Sequence, residues 1–156
     1  MTTSHQSVAF YSALFATTSR TSVYHLPHGE IDDLVAGATA ADCLVLRVDL
    51  RGACDKASML DAVAKALRFP EWFGHNWDAL NDCLLDMGWL PALGYVIILD
   101  HCDGIHARAE DDFVTLMQLF QAVADEWRED GKPFWCLVEL LADGIAWLPT
   151  LDQPGV

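Results

Sequence analysis

Three runs along the chain are apolar at nearly every position: residues 43–50 (CLVLRVDL), 95–100 (YVIILD) and 134–140 (FWCLVEL). A strand with one wet face alternates polar and apolar residues, whereas a strand covered on both faces does not. The runs therefore predict a small parallel sheet of three strands flanked by helices. Between the first two runs, Leu60, Val63, Ala64 and Leu67 repeat at helical spacing over 58–67. A Ser58-to-Asp61 capping-box spacing opens that helix, and Pro70 lies beyond its end. A second helix is predicted after Gly74, with Asn76 as N-cap and Gly88 as its stop. Between the second and third runs, Phe113, Leu116, Met117, Phe120 and Trp127 mark a long helix that ends near Gly131. Strand, helix pair, strand, long helix, strand is the order of an α/β layer fold.

Upstream, residues 23–26 read as a fourth strand. After Pro27, His28 and Gly29 comes a helix over 31–41, a strand-helix unit added at a sheet edge. Phe10, Tyr11, Leu14 and Phe15 suggest an initial amphipathic helix docked on the body. The chain divides into an extension (1–42), a body (43–147) and a tail (148–156) within one globular unit, and the tail, with two prolines and a glycine, is expected to fray. Trp127, Trp135 and Trp147 follow the apolar pattern and read as core.

Length adds little, because 156 residues suit one domain and 53% hydrophobic residues furnish its core. Charge changes the picture. Twenty-three Asp and Glu against nine Lys and Arg give −14, which repels phosphate backbones and anionic membranes and favours a cationic protein partner. The five cysteines are odd in number and form no Cys-x-x-Cys pair, as expected of reduced cytosolic thiols. The apolar stretch 8–16 has no Lys or Arg before it and is too short to span a bilayer, so a cytoplasmic location is expected.

The negative charge is also concentrated. Residues 69–107 contain no Lys or Arg but hold Glu71, Asp78, Asp82, Asp86, Asp100 and Asp103. Asp78, Asp82 and Asp86 are spaced by four and share one helix row, two like-charge pairs that each cost roughly 0.2–0.5 kcal/mol. The helix dipole favours Asp78 and opposes Asp86. Spacing alone leaves a plain solvated face and a binding face both open.

The string FPEWFGHNWDALNDCLLDMGW (69–89) resembles the signature of the barstar family of ribonuclease inhibitors. The matching elements are the loop Pro70, Glu71, Trp72, Phe73, Gly74 and the helix residues Asn76, Asp78, Ala79, Leu80, Asp82, Cys83 and Leu84. The resemblance spans about 44–140 and implies an intracellular inhibitor whose loop and acidic helix block the active site of a basic ribonuclease or ribonuclease-like toxin. By motif position it implies Asp82 as the deepest carboxylate and Asp78 as its companion. It further implies contacts from Trp72 and Asn76, close backbone approach at Gly74, and an aromatic contact at Trp89. Trp77, Asn81 and Asp86 lie on the same helix and complete the expected contact set. Glu126, counted back from Gly131, matches an inhibitory glutamate of the long helix, with Asp125 and Glu129 as alternatives. Asn81 stands where the family has a tryptophan, His75 and Trp77 replace a glutamate and a leucine, and two extra residues separate Cys83 from Trp89. These departures point to a related cationic partner.

The resemblance implies no enzyme, catalytic residue, metal or cofactor, and a monomer before binding. An acidic module for another cationic partner, without nuclease inhibition, remains the alternative. The rival site is 100–106, where Asp100, His101, Cys102, Asp103 and His106 could hold a metal or a cysteine nucleophile, or simply form a turn through Asp103 and Gly104. Paired carboxylates can also do acid-base chemistry, but Asp78 and Asp82, side by side one helical turn apart, do not easily flank a substrate bond from opposite faces. Glu110, Asp111 and Asp112 read as complements to a helix N-terminus. No phosphate-binding glycine loop is present.

Overall fold

The computed structural model describes residues 2–26, 31–141 and 148–154, and of residues 2–5 the backbone alone. The elements run α1 (Thr2–Phe15), β1 (Val23–His25), α2 (Ile31–Ala40), β2 (Cys43–Asp49), α3 (Lys56–Ala66), α4 (Trp77–Asp86), β3 (Gly94–Asp100), α5 (Asp103–Arg108), α6 (Glu110–Glu129) and β4 (Phe134–Val138). The strands form one parallel sheet in the order β1-β4-β3-β2. The three apolar runs are its three long strands, and the fourth predicted strand joins at the β4 edge, with Val23 opposite Cys136. The protein is a mixed α/β fold with a four-stranded parallel sheet flanked by helices.

Continuous apolarity has its expected cause. All seven residues of β3 and all five of β4 are buried, because each strand faces two cores. Tyr95, Ile97, Leu99, Phe134, Cys136 and Val138 pack with Leu60 and Val63 of α3, Leu80 and Leu84 of α4, and Phe113, Leu116 and Phe120 of α6. Val96, Ile98, Trp135 and Leu137 point the other way, onto Tyr11, Leu14 and Phe15 of α1 and Leu34 and Ala38 of α2. The amino-terminal segment thus supplies an edge strand and the helical cover of the second sheet face. At about 1.5–3 kcal/mol for each fully buried large aliphatic side chain, that cover is a large part of the fold's stability. The two helices approach closely at Gly37, where an added Cβ would lie 2.5 Å from the Tyr11 Cβ and 2.9 Å from the Val8 carbonyl oxygen.

Four local expectations are corrected. Helix α3 begins three residues earlier than the Ser58 cap implies: Asp55 is the N-cap, accepting from the Ser58 N–H at 2.9 Å, while Ser58 Oγ accepts the Asp55 N–H at 3.2 Å. Ser58 belongs to a capping box, but as its third helical residue, because Asp is as good a cap and lies closer to the strand end. Helix α4 ends at Asp86, and the left-handed residue that stops it is Met87 (φ 52°), held by a buried side chain; Gly88 follows the stop. The carboxyl-terminal residues do not fray at 148–151. Leu148 and Leu151 are buried, the His25 N–H donates to Pro149 O at 2.7 Å, and the Leu151 N–H donates to His25 O at 3.0 Å, so the segment lies along the outer edge of β1. Finally, Asp103 and Gly104 do not turn the chain; they open α5, and the left-handed turn residue is His101 (φ 59°). Trp147 and the turn at Pro27, His28 and Gly29 lie outside the described residues.

Candidate protein-binding surface

Chain direction puts the acidic helix and the rival cluster at opposite ends of the sheet. Helix α4 feeds through 87–93 into the start of β3, where Tyr95 Oη donates to Leu90 O at 2.5 Å. The carboxyl end of α6 reaches the same end, since it leads into β4 and its Trp127 Nε1 donates to Leu84 O of α4 at 3.0 Å. The segment 100–106 follows the carboxyl end of β3.

The loop before α4 is built on aromatic packing. Phe73 is buried, edge-on to Phe69 with ring centroids 5.0 Å apart. Trp89 packs edge-on against Phe69, and its Nε1 donates to Leu67 O at 2.9 Å, which spends the indole N–H internally. Trp72 stands outside this stack, 62% exposed and edge-on to Trp89 at 6.5 Å. His75 takes a left-handed conformation (φ 54°), lies tilted over Phe73 at 4.8 Å and places Nε2 3.3 Å from Asp61 of α3. Gly74 receives the Asn76 Nδ2 on its carbonyl at 3.2 Å, and an added Cβ would crowd that same amide at 3.2 Å. Asn76 is the predicted N-cap, accepting the Ala79 N–H at 2.8 Å.

On α4, Leu80, Cys83 and Leu84 face the core and Trp77 is half-buried, with Lys56 Nζ 5.4 Å from its ring centroid. Asp78 and Asp82 are exposed and Asn81 is half-buried. Among the described residues, neither Asp78 nor Asp82 has an ion-pair or hydrogen-bond partner. Asp86 differs, since its Oδ1 accepts the Gly88 N–H at 3.2 Å and so helps the turn that ends the helix. The field of these acids also reaches the buried Cys83 thiol, whose pKa is raised first by burial and then by Asp82 and Asp86.

Of the three candidate acids near the carboxyl end of α6, Asp125 is occupied by Arg128 and by Gln121 Nε2 at 3.1 Å. Glu126 and Glu129 are exposed, one residue before and two after the Trp127 that joins α6 to α4. Glu126 is therefore brought to the same end of the molecule as Asp82. Leu85 was missed at the sequence level. It is a large apolar residue exposed on α4, and its offset from the buried positions 80, 83, 84 and 87 is the signal that locates it.

The opposite cluster is closed on itself. Arg47 holds Asp100 with two hydrogen bonds of 2.9 Å, and His101 is engaged at Nδ1 by Asp49 (3.0 Å) and at Nε2 by Arg51 (2.7 Å). The His101 N–H donates to Glu139 at 2.7 Å. Cys102 is fully buried, with its thiol hydrogen-bonded to Leu99 O and its pKa pushed up by burial first and then by Glu139, so it is a thiol at neutral pH. Among the described residues no three His, Cys, Asp or Glu side chains converge as a metal set. These groups tie the ends of β2, β3 and β4 together.

The family model that matches is described as Barstar (barnase inhibitor), over residues 43–139. No curated protein matches the chain. Among solved structures it resembles one titled "Structure of the Aeropyrum Pernix ORC2 protein (ADPNP-ADP complexes)", at 14% identity and a TM-score of 0.53. The likeness covers 85% of this chain but 40% of that one, and it is a likeness of fold. No helix among the described residues is long and apolar enough to cross a membrane.

Proposed function

The chain belongs to the barstar family, and on that premise we propose that it is a protein inhibitor of a basic ribonuclease or ribonuclease-like toxin, acting in the cytoplasm. Members of the family are inhibitors rather than enzymes, and their partner is a ribonuclease. The observation that carries the finer reading is the pair Asp78 and Asp82. Both carboxylates are exposed and without an ion-pair or hydrogen-bond partner among the described residues, within a stretch that holds no Lys or Arg. A protein that used these acids only for solubility would lose nothing by pairing them. Left free, they offer two anions one helical turn apart to a cleft that binds successive phosphates.

In this reading Asp82 enters deepest, Asp78 sits beside it, and Glu126 reaches the rim from α6. Trp72 is the exposed aromatic anchor, and Trp77, Asn81 and Asp86 line the margin. Gly74, Asn76 and Trp89 hold the loop and the helix start in place. Inhibition is steric occlusion together with charge mimicry and needs no cofactor.

The test is RNA cleavage by a panel of purified basic ribonucleases, barnase among them, with the full chain in excess. Loss of cleavage is expected for at least one; full activity throughout sinks the proposal. For the inhibited enzyme, Asp82→Ala should weaken binding at least about tenfold more than Glu110→Ala, a difference of about 1.4 kcal/mol. Equal effects would place the contact elsewhere.

A further inference from the structure

The outward face of α4 is not uniformly acidic. Counting by helical neighbours, Asp78, Asn81, Asp82 and Leu85 stand at i, i+3, i+4 and i+7 and form one continuous strip. Leu85 is 40% exposed at its carboxyl end. At the other end of the helix lies the exposed Trp72 of the preceding loop. Trp72, Leu85 and Leu93 are three of the four large apolar side chains exposed among the described residues, and all fall within 72–93. The fourth, Leu141, follows β4 at the opposite end of the sheet. Single exposed leucines are ordinary, but these three fall in the same stretch of chain as the unpaired carboxylates, and Leu85 shares their helix.

We infer that the partner recognised by this surface carries an apolar patch beside its cationic groups, and that Leu85 is the residue that seats on it. The inference rests on the proposed binding role of α4 and adds the chemistry of what that helix meets. Charge complementarity selects a cationic partner, because neither Asp78 nor Asp82 has an ion-pair partner among the described residues. Apolar contact at Leu85 then does two things. It removes its own side chain from water, and it excludes water from Asp82 three residues away, which strengthens the attraction of that carboxylate for a correctly placed cation. The same exclusion penalises a partner whose cation is misplaced, since Asp82 would be desolvated without compensation. Leu85 is in this way a specificity-determining residue, and the acids supply the attraction.

Two short peptides of equal positive charge test this on the full chain, one alternating lysine with leucine and the other lysine with serine. The leucine peptide should bind about five- to tenfold more tightly, and the preference should persist at high salt, where charge attraction is screened. Leu85→Ser should abolish the preference, Leu141→Ser should leave it intact, and Asp82→Asn should weaken both peptides together. Unchanged thermal unfolding of the serine variants excludes a folding effect. Binding of neither peptide, equal binding of both, or a preference that survives Leu85→Ser overturns the inference. Ribonuclease inhibition is measured separately, so a chain that inhibits without this preference keeps the proposed function and loses the apolar contact.

Discussion

At the residue scale, the acidic helix is held in place by a few local bonds. Asn76 satisfies the Ala79 N–H at 2.8 Å, one of the four amides that a helix start leaves without partners. Asn76→Ala should cost about 1 kcal/mol in chemical denaturation. It should also weaken partner binding, because the first turn of α4 carries Asp78; a variant of native stability would show that the cap is idle. This cap was legible in sequence since only one capping residue precedes the apolar pattern. The start of α3 was not, because Asp55 and Ser58 are both good caps and spacing does not rank them. The stop at Met87 was hidden for a different reason. Gly88 is the ordinary left-handed residue, but burial of the Met87 side chain outweighs the backbone strain of about 1–2 kcal/mol. The thiols give a second test at this scale. All five cysteines are free and Cys54 alone is exposed. A thiol reagent near neutral pH should therefore modify one cysteine in the folded protein and five after denaturation; rapid modification of a second would contradict the packing. Burial, followed by Asp42, pushes the Cys43 thiol up to about 11 from an ordinary value near 9. A raised pKa means that the protonated form is favoured in the fold. Its contribution to stability is complete below about pH 9 and is lost as pH rises through about 11. The denaturation midpoint should fall across that window, and Cys43→Ala should make the fall shallower.

At the element scale, the packed pair α1 and α2 decides whether the sheet is finished. The family match begins at residue 43, yet β3 and β4 carry Val96, Ile98, Trp135 and Leu137 toward the segment that precedes it. That dependence is readable in the strands themselves, because a strand that is apolar at every position demands cover on both faces. The edge partner of β1 was not readable. Residues 148–151 contain a proline and no strand pattern, and backbone hydrogen bonds, which carry no side-chain signature, hold them to His25. Two outcomes follow from this pair of helices. Gly37→Ala forces a Cβ to within 2.5 Å of Tyr11 and 2.9 Å of the α1 backbone, so the helices must separate, and a loss of about 1–3 kcal/mol is expected in thermal or denaturant unfolding. A chain shortened to begin at residue 43 uncovers the second sheet face and should aggregate or bind a hydrophobic dye, as measured by light scattering and fluorescence. A well-behaved monomer from that deletion would show that α1 and α2 are an accessory to the sheet.

At the scale of the whole molecule, the charge of −14 is segregated as well as large. Five of the nine bases, Arg47, Arg51, Lys56, Lys65 and Arg68, fall between 47 and 68, and none lies between 69 and 107. Those five sit on β2, α3 and the segments beside them, whereas the free acids Asp78 and Asp82 sit on α4. A cationic partner approaching from solution feels first the total charge and then, at close range, the unneutralised pair on α4. These two regimes separate with salt. At low ionic strength the screening length is about 30 Å, so acids far from the contact, such as Glu110 at the start of α6, still attract; at 1 M it is about 3 Å and they do not. In stopped-flow association with an inhibited basic ribonuclease, Glu110→Gln should slow the rate at low salt and leave it unchanged at high salt. Asp82→Asn should slow association at low salt and also speed dissociation at every salt concentration, since a carboxylate inside the contact is screened by the partner and not by ions. If Glu110→Gln and Asp82→Asn lost their effects in parallel as salt rises, both would be acting through the distant field, and the α4 acids would have no close contact with the ribonuclease.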